Sequence, residues 1–244
     1  MDRSERNLTV GELVRAKPGR SRIFDRVGID FCCGGKVSLA KACEKRGLDV
    51  ESVVAQIAED DAQAITHNFV DADAMTLTGL CDHIEATHHE YLKQELPRLD
   101  QMTEKVARVH GDKESRLLEI RKLFIELRAE LEPHMFKEEK ILFPMIRQLE
   151  SSETLTEFHC GTVKNPIRQM EHEHDHAGDV LARIRSAADD FVPPQWACNT
   201  YRAMLDGLHE LESNMHQHVH KENNVLFPKA AQLEAVRETC SAAG

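Results

Sequence analysis

The stretch HMFKEEKILFP, His134 to Pro144, returns 84 residues later as HVHKENNVLFP, His218 to Pro228. Each copy contains a histidine, a glutamate four residues on, and then Leu-Phe-Pro. Residues four apart are neighbours on one face of an α-helix, about 6 Å apart along its axis. Each pair also continues an apolar stripe in steps of three and four, which predicts that both pairs face the interior of a helical domain. The stripes are Ile120, Phe124, Leu127 and Leu131 before His134 and Glu138, and Met204, Leu208, Leu211 and Met215 before His218 and Glu222.

Two more histidines are predicted to point inward from two further helices. His174 is in phase with the apolar positions of its helix, whereas His172 and His176 fall on the polar face. In the first long helix, periodicity favours His88. The first two long helices are approximately repeated as the third and fourth, and aligning the two copies instead matches His89 with His174, 85 residues later. We take His89 as the inward residue, although periodicity alone leaves His88 open.

The inward set therefore comprises four imidazoles and two carboxylates. A lone histidine on an apolar stripe is usually a satisfied core residue, and a single His-x-x-x-Glu pair is often a surface pair or a core hydrogen bond. Two buried carboxylates, however, need compensation, because burying one unpaired ionised carboxylate costs about several kcal/mol. Two bridging carboxylates with capping imidazoles form a dinuclear metal site, and nitrogen and oxygen donors without thiolate suit iron or manganese.

The composition predicts an all-α protein, because helix-forming residues dominate while glycine (12) and proline (8) are sparse among 244 residues. The long patterns run from about 76 to 109, with a kink at Pro97, from 112 to 148, from 163 to 188, and from Pro193-Pro194 past Lys221. We expect them to form an antiparallel four-helix bundle over 76–244, with the metal site inside it. A small helical domain is expected over 1–58, ending in a helix from Val50 to Ala58, and an acidic linker over 59–75.

The net charge of −11 argues against nucleic acid or an anionic membrane surface as a partner. The N-terminus has no apolar leader, and no segment reaches the roughly 18 apolar residues of a membrane span. We therefore expect a cytoplasmic protein. The seven cysteines show no disulfide-framework spacing, which favours reduced thiols.

The N-terminal domain contains DFCCGGK, in which Cys32 and Cys33 precede Gly34-Gly35 and a helix beginning near Val37. The N–H groups of that helix and the adjacent Lys36 are expected to lower a thiol pKa and give reactive thiols. The alternative is a tight glycine turn with a buried cysteine as core filler. Because adjacent side chains diverge, redox exchange or transient metal or sulfur handling is favoured over a stable zinc site. The remaining histidines are predicted to lie at the surface: His67, His83, His110, His159, His209, His216 and His220.

At these residues the bundle resembles the hemerythrin-like di-iron family, although oxygen-carrying hemerythrins use five histidines and only four are assigned here. IDFCCGGK at residues 29–36, with EHDHAG, HMFKEEKILFPM and ENNVLFP, resembles the bacterial repair of iron centres family over almost the whole chain. The resemblance implies two non-haem irons per chain, oxo- or hydroxo-bridged. It places the ligands at His89, His134, Glu138, His174, His218 and Glu222.

The resemblance also implies a function: restoring iron-sulfur clusters damaged by nitric oxide or peroxide, often as a homodimer. The di-iron centre would donate iron or process NO, while the Cys-Cys loop shuttles electrons or docks the damaged iron-sulfur protein. Glu130 and Glu173, each near a ligand position, are expected to support a ligand or handle protons. The main alternative is a module that binds or senses O₂ or NO without turnover. Iron storage is a weaker alternative, and the sequence leaves open whether NO is reduced catalytically.

Overall fold

A computed structural model describes residues 8–62, 70–152 and 158–242. Its N-terminal part consists of four short helices, α1 (Val10–Ala16), α2 (Ser21–Val27), α3 (Leu39–Arg46) and α4 (Val50–Ala62). α1 begins at a capping box, in which Thr9 and Glu12 satisfy each other's free backbone N–H groups. α4 runs on to Ala62, so its predicted end at Ala58 is wrong and the helix continues into the expected linker. Residues 63–69 of that linker lie outside the described residues.

The C-terminal part is the predicted helical bundle, and the described residues contain helices and no β-strand. It consists of four long rods joined by loops, and each rod runs antiparallel to the one before it in the chain. The first rod is α5 (Leu77–Ile84), a π-helical turn (Glu85–His89) and α6 (Glu90–His110); the second is α7 (Arg116–Lys137), a π-turn (Glu138–Leu142) and α8 (Phe143–Ser151). The third is α9 (Lys164–Ala187), and the fourth is α10 (Asn199–Lys221), a π-turn (Glu222–Leu226) and α11 (Phe227–Ala242).

The fourth rod begins at Asn199 and not at the Pro193-Pro194 pair, so the predicted start is wrong. A residue that precedes proline is disfavoured in the α region, which keeps this segment extended. The loop before it also contains three consecutive non-glycine residues with positive φ, at 53°, 51° and 61°: Asp189, Asp190 and Phe191. The second rod likewise begins at Arg116, later than the predicted Asp112, after a turn.

Three of the four rods contain a π-turn at the level of the predicted metal ligands. In the second and fourth rods, Phe143 donates its N–H to the carbonyl of Glu138, and Phe227 donates to that of Glu222, both five residues back. Proline follows each phenylalanine and has no N–H to donate to the carbonyl four residues before it. The repeated Leu-Phe-Pro thus coincides with a wider turn, a feature frequent at functional sites.

The bundle core forms two apolar layers with a polar belt between them. One layer contains Leu92, Leu96, Leu127, Leu131, Leu181 and Leu211 among others. The other contains Leu80, Ile84, Leu142, Ile146, Ile167 and Leu226 among others. The predicted ligands occupy the boundary between the layers. No helix among the described residues is long and apolar enough to cross a membrane.

The N-terminal helices, with a core of their own, dock on the face of the fourth rod that carries His216 and His220. The ring of His220 packs on Phe31 at 5.6 Å between centroids, and His220 is only 5% exposed. His216 Nδ1 lies 2.7 Å from a carboxylate oxygen of Asp25. The prediction of surface positions is therefore wrong for His220 and only half right for His216, because the second domain covers them. His159 and His209 are exposed as predicted, and His67 lies outside the described residues.

Candidate metal centre

Six side chains meet in the belt between the two apolar layers, and they form two overlapping four-residue groups. One group contains His89 and His218, and the other contains His134 and His174. Both groups include Glu138 and Glu222, and the donor atoms within each group lie within 4.8 Å of one another. Two metal positions that share both carboxylates are the arrangement expected for a dinuclear centre.

The imidazole nitrogens that face the centre approach each other closely. Nε2 of His89 lies 3.2 Å from Nε2 of His218, and Nε2 of His134 lies 3.1 Å from Nε2 of His174. Glu138 Oε2 lies 3.3 Å from both His89 Nε2 and His134 Nε2. Glu222 lies 3.0 Å from His218 Nε2 and 3.1 Å from His174 Nε2, through its two oxygens.

Hydrogen bonds on the outer edges of three imidazoles fix their orientation. His89 Nδ1 donates to Glu139 Oε1 at 3.0 Å and His134 Nδ1 donates to Glu173 Oε2 at 2.8 Å. His174 Nδ1 donates to Asn223 Oδ1 at 2.9 Å. A neutral imidazole that carries its proton on Nδ1 presents a lone pair at Nε2, which is the form that binds metals.

In that neutral form, the Nε2 lone pairs would point at one another and at carboxylates, an arrangement that protein groups alone satisfy poorly. Both oxygens of Glu138 and one oxygen of Glu222 are buried without a hydrogen-bond donor. Both side chains are fully buried, at 0% exposure. Unpartnered carboxylate oxygens at this depth are costly unless a cation compensates them. The residues present therefore fit a pair of metal ions.

The electrostatics of the cluster also favour a cation. Burial and the neighbouring Glu222 act to raise the pKa of Glu138, but His134 and His89 hold that pKa at about 2. Burial acts to lower the pKa of His134, yet Glu138 and Glu173 raise it to about 10. Burial, assisted by His89, lowers the pKa of His218 far below its usual value. Before a metal binds, the cluster therefore holds ionised carboxylates, a neutral His218 and a protonated His134, so a binding cation takes the place of the His134 proton, which leaves.

The choice between His88 and His89 is explained by the first π-turn. His89 lies in the cluster, whereas His88 Nδ1 donates to Asn214 Oδ1 and its Nε2 accepts from Lys221 Nζ at 2.6 Å. Ile84 faces the core, and in an α-helix the next inward position would be His88. The π-turn Glu85–His89 adds one residue to that turn and moves the inward position to His89.

The structure brings one of the two predicted supporting glutamates to the site. Glu173 bonds His134 and is itself held by Lys137 and Gln169. Glu130 does not reach the cluster: it is half-buried, and its carboxylate lies 2.8 Å from His176 on the polar face. The expected supporting role of Glu130 is therefore wrong, because its carboxylate pairs with His176 of α9 and with no ligand histidine.

Sequence reasoning missed two supporting residues, Glu139 and Asn223. Each directly follows a predicted glutamate ligand, in KEEK and KENN respectively. The signal that could have found them is the equivalent position in the repeat: a hydrogen-bond acceptor follows the glutamate in both copies. Their partners, however, come from other rods.

The Cys-Cys loop lies against the bundle beside His174. Cys33 Sγ is 3.4 Å from the carbonyl oxygen of His174, and Cys32 is packed into one apolar layer of the bundle. Asn224, the residue after Asn223, donates from Nδ2 to the carbonyl of Cys32 at 3.1 Å. A Cβ added to Gly35 would lie 2.7 Å from Asn224 Oδ1. Gly35 therefore allows the loop to approach the bundle closely, and it is not among the residues with positive φ.

The expected lowering of a thiol pKa at this loop is wrong for Cys32. The Cys33 thiol, then burial, then the Asp30 carboxylate raise the pKa of Cys32 well above its usual value. Lys36, the expected activating cation, pairs instead with Glu171 at 2.9 Å. The thiol of Cys32 is therefore protonated at neutral pH in the absence of a bound cation or an oxidant.

A cavity of about 560 Å³ lies between the N-terminal helices and the bundle on the His88 side. His88 lines it and stacks on the predicted ligand His218, with 5.3 Å between ring centroids. The cavity thus reaches to within one imidazole ring of the cluster.

Comparison with known proteins gives two family matches. Residues 6–61 match ScdA_N, described as a domain of unknown function, and residues 82–230 match the hemerythrin HHE cation binding domain. The iron-sulfur cluster repair protein YtfE of Citrobacter koseri is 39% identical over 227 residues, 93% of this chain and 98% of that protein. The proteins of the same name from an Escherichia coli strain and from Shigella boydii are each 39% identical over 225 residues, covering 92% of this chain and 97% of theirs.

Proposed function

The chain belongs to the family of iron-sulfur cluster repair proteins that carry a hemerythrin HHE cation binding domain, and on that premise we propose that it repairs iron-sulfur clusters damaged by nitrosative or oxidative stress. Two non-haem irons per chain, which the four histidines and both glutamates would hold, would serve this role by donating iron or by handling nitric oxide. Damaged iron-sulfur proteins would be its targets, and NO or O₂ its small ligands.

The observation that carries the proposal is the pair of donor groups that share Glu138 and Glu222. His89 and His218 would hold one iron, and His134 and His174 the other. When bound, such a pair supplies redox-active sites for small molecules and iron that can be given up. The protein's own contribution is orientation: Glu139, Glu173 and Asn223 hold imidazole rings.

The apolar layers above and below the cluster restrict water at the centre, which strengthens each charge interaction there. The interdomain cavity offers a small molecule space close to His218. The Cys-Cys loop, which touches the His174 helix, would pass electrons or contact the damaged protein. These features support small-molecule access on one side of the centre and thiol chemistry on the other.

The proposal is tested by removing each shared carboxylate. Glu138→Leu and Glu222→Leu variants should retain fewer than two irons and lose activity in restoring a damaged cluster. The near-isosteric Glu138→Gln variant guards against misfolding, and it should also lose iron while keeping its helical circular dichroism. Glu132→Leu is the matched control, because Glu132 lies exposed on the same rod and pairs with Arg128. Full retention of two irons in both Leu variants would contradict the metal assignment.

A second variant tests the thiols separately from the metal. Cys32→Ala combined with Cys33→Ala should keep both irons yet impair cluster repair, because neither sulfur belongs to the two histidine and glutamate groups. Cys198→Ala, at an exposed cysteine, is the control. Unchanged repair activity in the double variant would rule out a thiol role.

A further inference from the structure

Three donor atoms of the Cys-Cys loop converge on one point, outside the bundle centre. The sulfurs of Cys32 and Cys33 lie 3.8 Å apart, and Cys32 Sγ lies 3.2 Å from Oδ1 of Asp30. One donor atom from each of the three residues lies within 4.8 Å of the others. The side chains of the adjacent cysteines thus do not diverge, contrary to the sequence-based expectation.

The spacing matches one tetrahedral ion. With metal–sulfur bonds of about 2.3 Å, two thiolates of a tetrahedral site lie about 3.8 Å apart. A carboxylate oxygen about 2.1 Å from the same ion would lie about 3.6 Å from each sulfur. The observed 3.8 Å between sulfurs meets the first value without movement. The carboxylate would have to move by roughly 0.4 Å, a small shift for a side chain of an exposed residue.

The loop holds these donors in place before any ion binds. The backbone N–H groups of Cys32 and Cys33 donate to Asp30 Oδ1 at 2.9 and 3.0 Å, and that of Gly34 donates to Oδ2 at 2.8 Å. Asn224 of the bundle fixes the Cys32 carbonyl. Preorganised donors lose little conformational entropy on binding, which favours affinity.

We propose that Asp30, Cys32 and Cys33 form a metal site of their own for a single thiophilic divalent cation of the Zn²⁺ or Fe²⁺ type. Two thiolates and one carboxylate supply three ligands and leave a fourth position for water or an incoming ligand. Each thiol proton leaves to solvent as its sulfur takes the cation. The site goes beyond the proposed cluster repair and does not depend on iron in the bundle.

The proposed loop site lies directly against the helical bundle. Cys33 Sγ touches the backbone of His174, so an ion in the loop would lie against the rod that carries a predicted iron ligand. A Cβ added to Gly178, one turn further along α9, would lie 3.6 Å from that sulfur, which is an ordinary van der Waals contact.

The test uses the full-length protein with its bundle loaded with iron, under anaerobic and reducing conditions, and Co²⁺ as the probe. Thiolate coordination gives a sulfur-to-cobalt charge-transfer band, which histidine and glutamate ligands cannot produce. The band should saturate at one Co²⁺ per chain, and the iron content should stay unchanged. If Co²⁺ merely replaced iron in the bundle, iron would be released and no charge-transfer band would form. The two readouts therefore distinguish failure of the loop site from failure of the proposed function.

Cys33→Ser should weaken the band, because only the Cys32 thiolate remains, whereas the matched control Cys198→Ser, at an exposed cysteine elsewhere, should leave it unchanged. Asp30→Asn should weaken Co²⁺ binding on the order of tenfold or more, as expected for loss of a carboxylate partner. Absence of the band in the unaltered protein, or an equal band in Cys33→Ser, would overturn the site. Unchanged affinity in Asp30→Asn would remove Asp30 from it and overturn the three-donor assignment.

Discussion

The two metal positions are supported unequally, and this predicts that one iron is lost before the other. The His134 and His174 position has two outer partners, the Glu173 carboxylate and the Asn223 amide. At the other position, His218 Nδ1 is buried without a hydrogen-bond partner. The remaining ring at that position, His89, has Glu139, which also pairs with Lys93 as Glu173 pairs with Lys137, so the two positions differ at His218.

Outer partners of metal-bound histidines contribute roughly 10–100-fold in affinity, about 1.4–2.7 kcal/mol. The iron at His89 and His218 should therefore bind on the order of tenfold or more weakly than the iron at His134 and His174. A competition titration with an iron chelator at equilibrium should show two steps, with one iron removed per chain in each. Glu173→Gln keeps an acceptor but removes the charge, so it should shift only the second step toward lower chelator concentration.

Glu139→Gln should shift only the first step in the same direction, and the exposed Glu132→Leu should shift neither. Removal of both irons in one step from the unaltered protein would refute the reasoning. An unmoved second step in Glu173→Gln would refute it as well, because the structure gives that position its charged outer partner.

Three further predictions concern the N-terminal domain and its docking. Gly35→Ala should destabilise the protein by about 1–3 kcal/mol in urea unfolding, because its Cβ would meet the carbonyl oxygen of Phe31 at 2.6 Å and Asn224 Oδ1 at 2.7 Å. Gly178→Ala should be neutral or stabilising, because its Cβ would lie 3.6 Å from the nearest atom on a helix, and equal effects of the two substitutions would contradict this. Asn224→Ala should cost about 1–3 kcal/mol and speed amide hydrogen exchange in the Cys-Cys loop, and unchanged exchange would show that the loop is held by other contacts. Burial acts to raise the pKa of Asp61, but the hydrogen bonds from Arg20 and Lys17 lower it below the pKa in the unfolded chain. The pair therefore contributes its whole stabilisation above the pKa of the unfolded chain, and this contribution is lost as the pH falls through the pKa of the folded protein. Asp61→Asn should flatten the loss of unfolding free energy between neutral and acidic pH, and an unchanged pH profile would count against this pair.

Much of the centre could be predicted because helical phase is a local property. The repeated His-x-x-x-Glu phrase places His134, Glu138, His218 and Glu222 on apolar stripes, and His174 follows by the same rule. The four rods likewise follow from composition and periodicity. The uncertain member was His89, since one inserted residue in a π-turn defeats a count in steps of three and four.

Side-chain contacts between distant parts of the chain could not be predicted from helical phase. Glu173 and Glu130 both stand near ligands along the sequence, yet only Glu173 meets one, because packing of α9 against α7 decides which carboxylate meets His134. Lys36 follows the cysteines directly but pairs with Glu171 on α9. The sequence predicts that His220 lies on an exposed polar face, but the N-terminal helices cover this residue.

The sequence by itself determined the helical fold and five of the six donors, because side-chain direction along a helix repeats with a fixed period and buried carboxylates require a counter-charge. Only the tertiary structure decided the rest: the π-turns that set His89, the outer hydrogen bonds that orient each ring, and the close approach of Asp30, Cys32 and Cys33 beside His174. Those contacts join residues far apart in the chain, and their distances depend on how the rods and the two domains pack.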